Sequence, residues 1–235
     1  MRTFYKEESR TSFDLSHSRK SKKTLVIFDC DGVLVDSEAT AAIAVSETLE
    51  SAGINLTPLE CRLKFQGKST ADMISILEES YTVKLQSCFA SEIEASIDQA
   101  LSKSLKAIPN IESLLQKIQS LGLAICVASS GTREKVRKNL KRTNLLSYFE
   151  GNITSATEVK NGKPKPDVFV LAAKKMGFTC QEAIILEDSM SGIIAGVAAG
   201  AKVIAYNGDP FNSKRILPDE SVVAIETMEE AWHHI

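Results

Sequence analysis

With 235 residues, 43% of them hydrophobic, the chain can bury the core of one large or two modest domains. A formal net charge of −2 requires no strongly basic face, which argues against nucleic acid as the main partner. No apolar stretch approaches the roughly 20 residues of a membrane helix. Cys30, Cys61, Cys88, Cys126 and Cys180 are widely spaced, odd in number and free of any CxxC pair. They read as reduced, mostly buried thiols of a cytoplasmic protein. His17, His233 and His234 lie near the termini, which argues against a histidine-dependent triad or an imidazole-ligated metal.

Residues 1–23 are polar and mixed in charge, without the apolar segment of a secretory signal, and read as an N-terminal extension. "TLVIF" (24–28) is the first of four short apolar runs expected to be buried parallel strands; the others are "LAICVA" (123–128), "AIILE" (183–187) and "KVIAY" (202–206). From Glu38 to about Lys106 the rhythm changes. Apolar residues recur there at helical spacing, as in Phe89, Ile93, Ile97 and Leu101, and "TPLE" (57–60) carries a helix start with Thr57 as cap and Glu60 as its reciprocal partner. Asn110 is placed to cap a helix bearing Ile111, Leu114, Leu115 and Ile118. Further helices are expected at 132–142, 167–176 and 190–199. A weak strand at Val222–Ile225 precedes a last helix with a Thr227–Glu230 capping box.

Strands alternating with helices imply right-handed crossovers and a doubly wound, parallel α/β sheet. The predicted division is a core of residues 24–37 and 106–235, with residues 38–105 inserted as a small α-helical cap domain.

Ligands of such a sheet bind beyond the carboxyl ends of its strands. Asp29 and Asp31 follow the first run, Ser129, Ser130 and Gly131 the second, and Glu187 and Asp188 close the third. "GKPKPD" adds Lys163 and Lys165. Up to four carboxylates in one cleft repel unless a cation sits among them, and oxygen-only ligands suit Mg²⁺. A hydroxyl and an ammonium supply the donor and positive charge for phosphate oxygens. One carboxylate facing phosphorus can attack it, and a second can move protons to the leaving oxygen and from water. Side chains two residues apart on extended chain point the same way, so Asp29 and Asp31 share a side while Cys30 turns away.

"DCDGVLVDSE", "VASSG", "GKPKPD" and "EDSMSGIIAGVAAGA" resemble, in order, the four motifs of the haloacid dehalogenase-like phosphohydrolases. The resemblance covers nearly everything from residue 24 on, and the 38–106 interval matches members with a helical cap after the first motif. It implies that Asp29 is the nucleophile and Asp31 the acid/base. It implies that Ser129 binds phosphate, with Ser130 contributing through its backbone N–H, and that Lys163 holds nucleophile and phosphate together. Asp188 with Glu187 would anchor Mg²⁺, joined by Asp29 and the Asp31 carbonyl. Gly32 would permit the tight turn under the site.

The cap is expected to set specificity through the "RLKFQGKST" loop (62–70), with Gln66 and Lys68 facing a polar or anionic substrate. The implied substrate is a small-molecule phosphate ester, a sugar phosphate, and the protein a monomer or weak homo-oligomer. β-Phosphoglucomutase shares the layout. Its relatives carry a lysine before the loop glycine, an arginine three residues after it, and a histidine beyond the first motif. Gln66, Thr70 and Ala41 stand in those places here, which favours a phosphatase over a mutase. A non-catalytic metabolite-binding protein is the alternative of another class.

Overall fold

The computed structural model describes residues 24–65, 68–209 and 216–235. In chain order its strands and helices are β1 (Leu25–Phe28), α1 (Glu38–Ser51), α2 (Pro58–Phe65), α3 (Thr70–Tyr81), α4 (Phe89–Ser104), α5 (Ile111–Ser120), β2 (Ala124–Ser129), α6 (Arg133–Arg142), α7 (Leu146–Phe149), β3 (Ile153–Ser155), α8 (Asp167–Lys175), β4 (Ala183–Glu187), α9 (Met190–Ala198), β5 (Lys202–Tyr206), β6 (Val223–Ile225) and α10 (Met228–Ala231). The N-terminal extension expected at 1–23 lies outside the described residues.

The strands form one six-stranded sheet in the order β3-β2-β1-β4-β5-β6, and every pairing is parallel. Leu25 pairs with Ala124 on one side and Ala183 on the other, so β1 lies at the centre. Alternate residues of that strand feed opposite cores. Val26 and Phe28 pack with Ile111, Leu115 and Leu140, whereas Leu25 and Ile27 pack with Phe169, Ala172 and Ile185. A strand buried on both faces reads as an unbroken apolar run, which is why four of the strands were visible in the sequence. β3 was not. It is three residues long, "ITS", and its Thr154 and Ser155 are buried polar groups that break the apolar signal.

Helices α1 to α4 follow β1 and pack on one another around Val45, Leu49, Phe65, Leu77 and Ile93, a cluster separate from the two that sandwich the sheet. The chain leaves and re-enters the sheet side by side. Asp36 donates its N–H to the Lys106 carbonyl at 2.9 Å, and Ile108 donates to Leu34 at 3.0 Å. Ion pairs join the helices to the rest of the molecule. Asp98 on α4 accepts from Lys138 (2.6 Å) and Arg142 (3.0 Å) on α6, and Arg62 on α2 pairs with Asp209 beyond β5.

The capping expectations divide. Thr57 and Glu60 exchange both bonds of the box, at 2.7 and 3.2 Å. Asn110 precedes α5 as expected, but with φ 63° its side chain turns from the helix amides and donates to Glu229. Thr227 likewise donates its hydroxyl to Glu230 at 3.1 Å and accepts from no α10 amide.

Candidate active site

In the strand order, chain direction across the sheet reverses between β1 and β4, which is where a parallel open sheet leaves a crevice at its carboxyl edge. Asp29 stands immediately beyond β1. Its N–H donates to Leu186 of β4 at 3.0 Å, so the ladder continues one residue past the strand and fixes where the carboxylate begins. Glu187 ends β4, and Asp188 follows it. One carboxylate oxygen from each of Asp29, Glu187 and Asp188 lies within 4.8 Å of the others, and all three residues are buried.

Lys163 reaches into this group from the loop before α8. Its Nζ lies 2.5 Å from Asp29 Oδ1 and 2.6 Å from Glu187 Oε1, and donates also to the Ala128 carbonyl at 3.2 Å. The ammonium is almost fully buried. Desolvation lowers its pKa, but the two carboxylates outweigh that and lift it above the ordinary lysine value. Burial dominates at Asp29, whose carboxyl is raised to about 7. Lys163 opposes the rise, and Glu187 and Asp31 add to it.

Two glycines make room for these acids. Gly32 has φ +90°, and a Cβ there would fall 2.1 Å from Asp188 Oδ2. Gly192, in the first turn of α9, would place a Cβ 1.7 Å from Glu187 Oε1. The other Glu187 oxygen accepts from the Ser189 N–H (2.7 Å) and hydroxyl (2.9 Å) at the start of that helix. A carboxylate at this end also balances the positive pole of the helix dipole.

Asp31 faces different partners. Its Oδ1 accepts from the Ser37 hydroxyl at 2.7 Å and Asn139 Nδ2 at 3.4 Å, and its Oδ2 lies 3.0 Å from Lys135 Nζ. Burial pushes this carboxyl up, but Lys135 and the bonds from Ser37 and Asn139 together hold it below the usual value. Cys30 between the aspartates is buried in the core, as the alternation required. Ser129 ends β2 and accepts from the Gly131 N–H at 3.0 Å, so its own hydrogen is available to a further acceptor. Ser130 is exposed.

Two adjoining clefts, about 180 and 380 Å³, open between the α1–α4 helices and α6 and share Thr70, Ile97, Leu101 and Lys135. They meet the carboxylates through Ser37 and Lys135, both bonded to Asp31. Lys68 lines the smaller cleft and is exposed. Gln66 lies outside the described residues. The expected 62–70 loop is shorter than its sequence implied. Arg62 to Phe65 form the last turn of α2, where Arg62 is buried, and Ser69 caps α3 in a reciprocal box with Asp72.

The sequence thus located Asp29, Lys163, Glu187 and Asp188, which converge, and missed Ser37, Lys135, Asn139 and Ser189. Lys135 and Asn139 lie one turn apart beside Val136 and Leu140 on the inward face of α6. That i, i+4 spacing was the available signal, hidden because "REKVRKNLKR" carries charge on every side.

A parallel sheet with helices set in after its first strand, and acids and an ammonium gathered at its switch point, is the plan of an α/β enzyme. Residues 26–206 match the family described as haloacid dehalogenase-like hydrolase, and the chain belongs to that family. It is 29% identical over 214 residues to 6-phosphogluconate phosphatase of Escherichia coli (strain K12), spanning 90% of this chain and 96% of that protein. To hexitol phosphatase A of the same organism it is 30% identical over 192 residues, 81% and 85% of the two chains. A HAD family hydrolase from Deinococcus radiodurans, solved with bound phosphate and sodium, superposes with a TM-score of 0.70 at 25% identity, over 86% and 91% of the chains.

Proposed function

We propose that the protein is a Mg²⁺-dependent phosphatase that hydrolyses a small phosphorylated metabolite, a sugar phosphate, through an aspartyl-phosphate on Asp29. The observation that carries the reading is the Lys163 ammonium set between Asp29 and Glu187, with Asp188 completing the cluster. Three buried carboxylates lie together there, two of them paired with Lys163, and close-set acidic oxygens of this kind hold a divalent cation. The donors are all oxygens, the set that suits a hard divalent cation. Asp29, Glu187 and Asp188, with the Asp31 carbonyl, would hold Mg²⁺, which when bound screens the phosphate charge and favours an ionised Asp29.

The residues of the chain divide the remaining work. Asp29 attacks phosphorus as the ester oxygen departs, and Asp31 gives that oxygen a proton. Asp31 then takes a proton from water as the acyl phosphate is hydrolysed. Lys163 fixes Asp29 and meets the charge on the transferring phosphoryl oxygens, and the Ser129 hydroxyl donates to them. The 38–105 segment acts as the cap, excluding bulk water and presenting Lys68 to the rest of the substrate. Thr70, which stands where the mutases carry an arginine, lines the cleft without charge, which supports hydrolysis over transfer to a second sugar. The relatives named for 6-phosphogluconate and hexitol support a sugar-derived substrate.

The test is hydrolysis of p-nitrophenyl phosphate and a panel of sugar phosphates with and without Mg²⁺. Metal-dependent turnover is expected, abolished by Asp29→Asn and slowed about 10²-fold or more by Asp31→Asn. Full activity in either variant would remove that residue from its role, and no turnover with any metal would favour a non-catalytic binding protein.

A further inference from the structure

Both oxygens of Asp31 are engaged, and two of the three donors come from one face of α6. Lys135 differs from the other two. Ser37 and Asn139 are buried, whereas the Lys135 side chain is 49% exposed and lines both clefts. Ser37 and Asn139 each line one cleft, but Lys135 is the charged donor of the three and reaches into both. The pair is half open on its Lys135 side, where solvent weakens its contribution to folding. Geometry gives the pair a role. The terminal torsion of an aspartate is broad, and proton transfer requires an oxygen aimed at the leaving atom. Ser37 and Asn139 hold Oδ1 and Lys135 holds Oδ2, so together they set the plane of the carboxylate.

We infer that Lys135 is a positioning residue for leaving-group protonation: it orients the Asp31 carboxyl toward the departing oxygen of the phosphoester. The inference rests on the phosphatase reading and on the acid/base role of Asp31. It has a consequence that a structural ion pair lacks. Departure of a strongly basic oxygen needs the proton, whereas a stabilised phenolate leaves with little help.

The experiment measures single-turnover rates at saturating concentrations of a series of substituted phenyl phosphates, with Mg²⁺, for the wild type, Lys135→Met and Lys135→Arg. In Lys135→Met the rate on phenyl phosphate is expected to fall about 10-fold, part of the general-acid contribution, and that on p-nitrophenyl phosphate less than about 3-fold. The dependence of rate on leaving-group basicity steepens accordingly. Lys135→Arg, which keeps a donor and a charge, is expected to recover most of the loss. Equal losses across the series, or a loss confined to KM, would overturn the inference and leave the phosphatase reading intact. A wild type inactive on the whole series would overturn both.

Discussion

Replacing Gly192 with alanine sets two physical effects against each other. Glycine inside a helix costs about 1 kcal/mol relative to alanine, so propensity alone makes the substitution stabilising. The new methyl, however, would stand 1.7 Å from Glu187 Oε1 and 2.5 Å from Oε2. The end of a side chain ordinarily swings aside from such a contact. This one is fully buried, and three bonds fix it: Lys163 on Oε1 at 2.6 Å, and the Ser189 N–H and hydroxyl on Oε2 at 2.7 and 2.9 Å. Retreat by more than an ångström breaks at least the ion pair. Hydrogen bonds to charged groups are worth about 1.5–3 kcal/mol each, and a buried charge stripped of its partner costs more. The net expectation is destabilisation by about 2–4 kcal/mol, read as a lower urea midpoint at unchanged slope, with loss of phosphatase activity. A Gly192→Ala protein as stable and active as the wild type would refute the reasoning, because Glu187 would then have another place to go.

Three further outcomes follow from the site and its surroundings. Mg²⁺ at 100 times its Kd is expected to stabilise the folded protein by about 2.7 kcal/mol, seen as a raised melting temperature. Asp188→Ala should abolish that rise, and an undiminished one would remove Asp188 from the cation site. Lys68→Ala is expected to raise KM about 10-fold for sugar phosphates and little for p-nitrophenyl phosphate, as for loss of one charged contact of roughly 1.4 kcal/mol; equal effects would mean that Lys68 does not meet the sugar. At Glu158 burial acts upward, but Lys175, the Ser155 N–H and Arg133 outweigh it and hold the carboxyl at about 2, below its ordinary 4.5. A depressed carboxylate contributes stability above pH 4.5 and loses it as pH falls toward 2. Denaturation across that range should therefore show the gap between wild type and Glu158→Gln closing with acid, and a gap independent of pH would contradict the assignment.

What the sequence disclosed, and what it hid, follows from how each feature is encoded. β1, β2, β4 and β5 are legible because burial on both faces demands an unbroken apolar run. The carboxylates are legible because the sheet's topology alone sends residues that follow its strands to one edge. β3 is silent because its polar residues are satisfied inside the fold; the Ser155 hydroxyl donates to the Gly131 carbonyl at 2.7 Å, a contact across 24 positions. Arg62 looked like a loop residue because α2 ends on a charged turn, and only the packing of α2 buries it. Asn110 looked like a cap because local pattern cannot reveal Glu229, which reaches it from the far end of the chain. Lys135 and Asn139 required α6 to be docked beside Asp31 before either could be told from its charged neighbours.

The central claim is that Asp29 receives the phosphoryl group. Acid quenching during turnover of a radiolabelled phosphoester, followed by peptide mapping, tests it directly. The expected result is a Mg²⁺-dependent, hydroxylamine-sensitive label on the peptide bearing Asp29, absent in Asp29→Asn. Label on any other residue, or full turnover by Asp29→Asn, would contradict it.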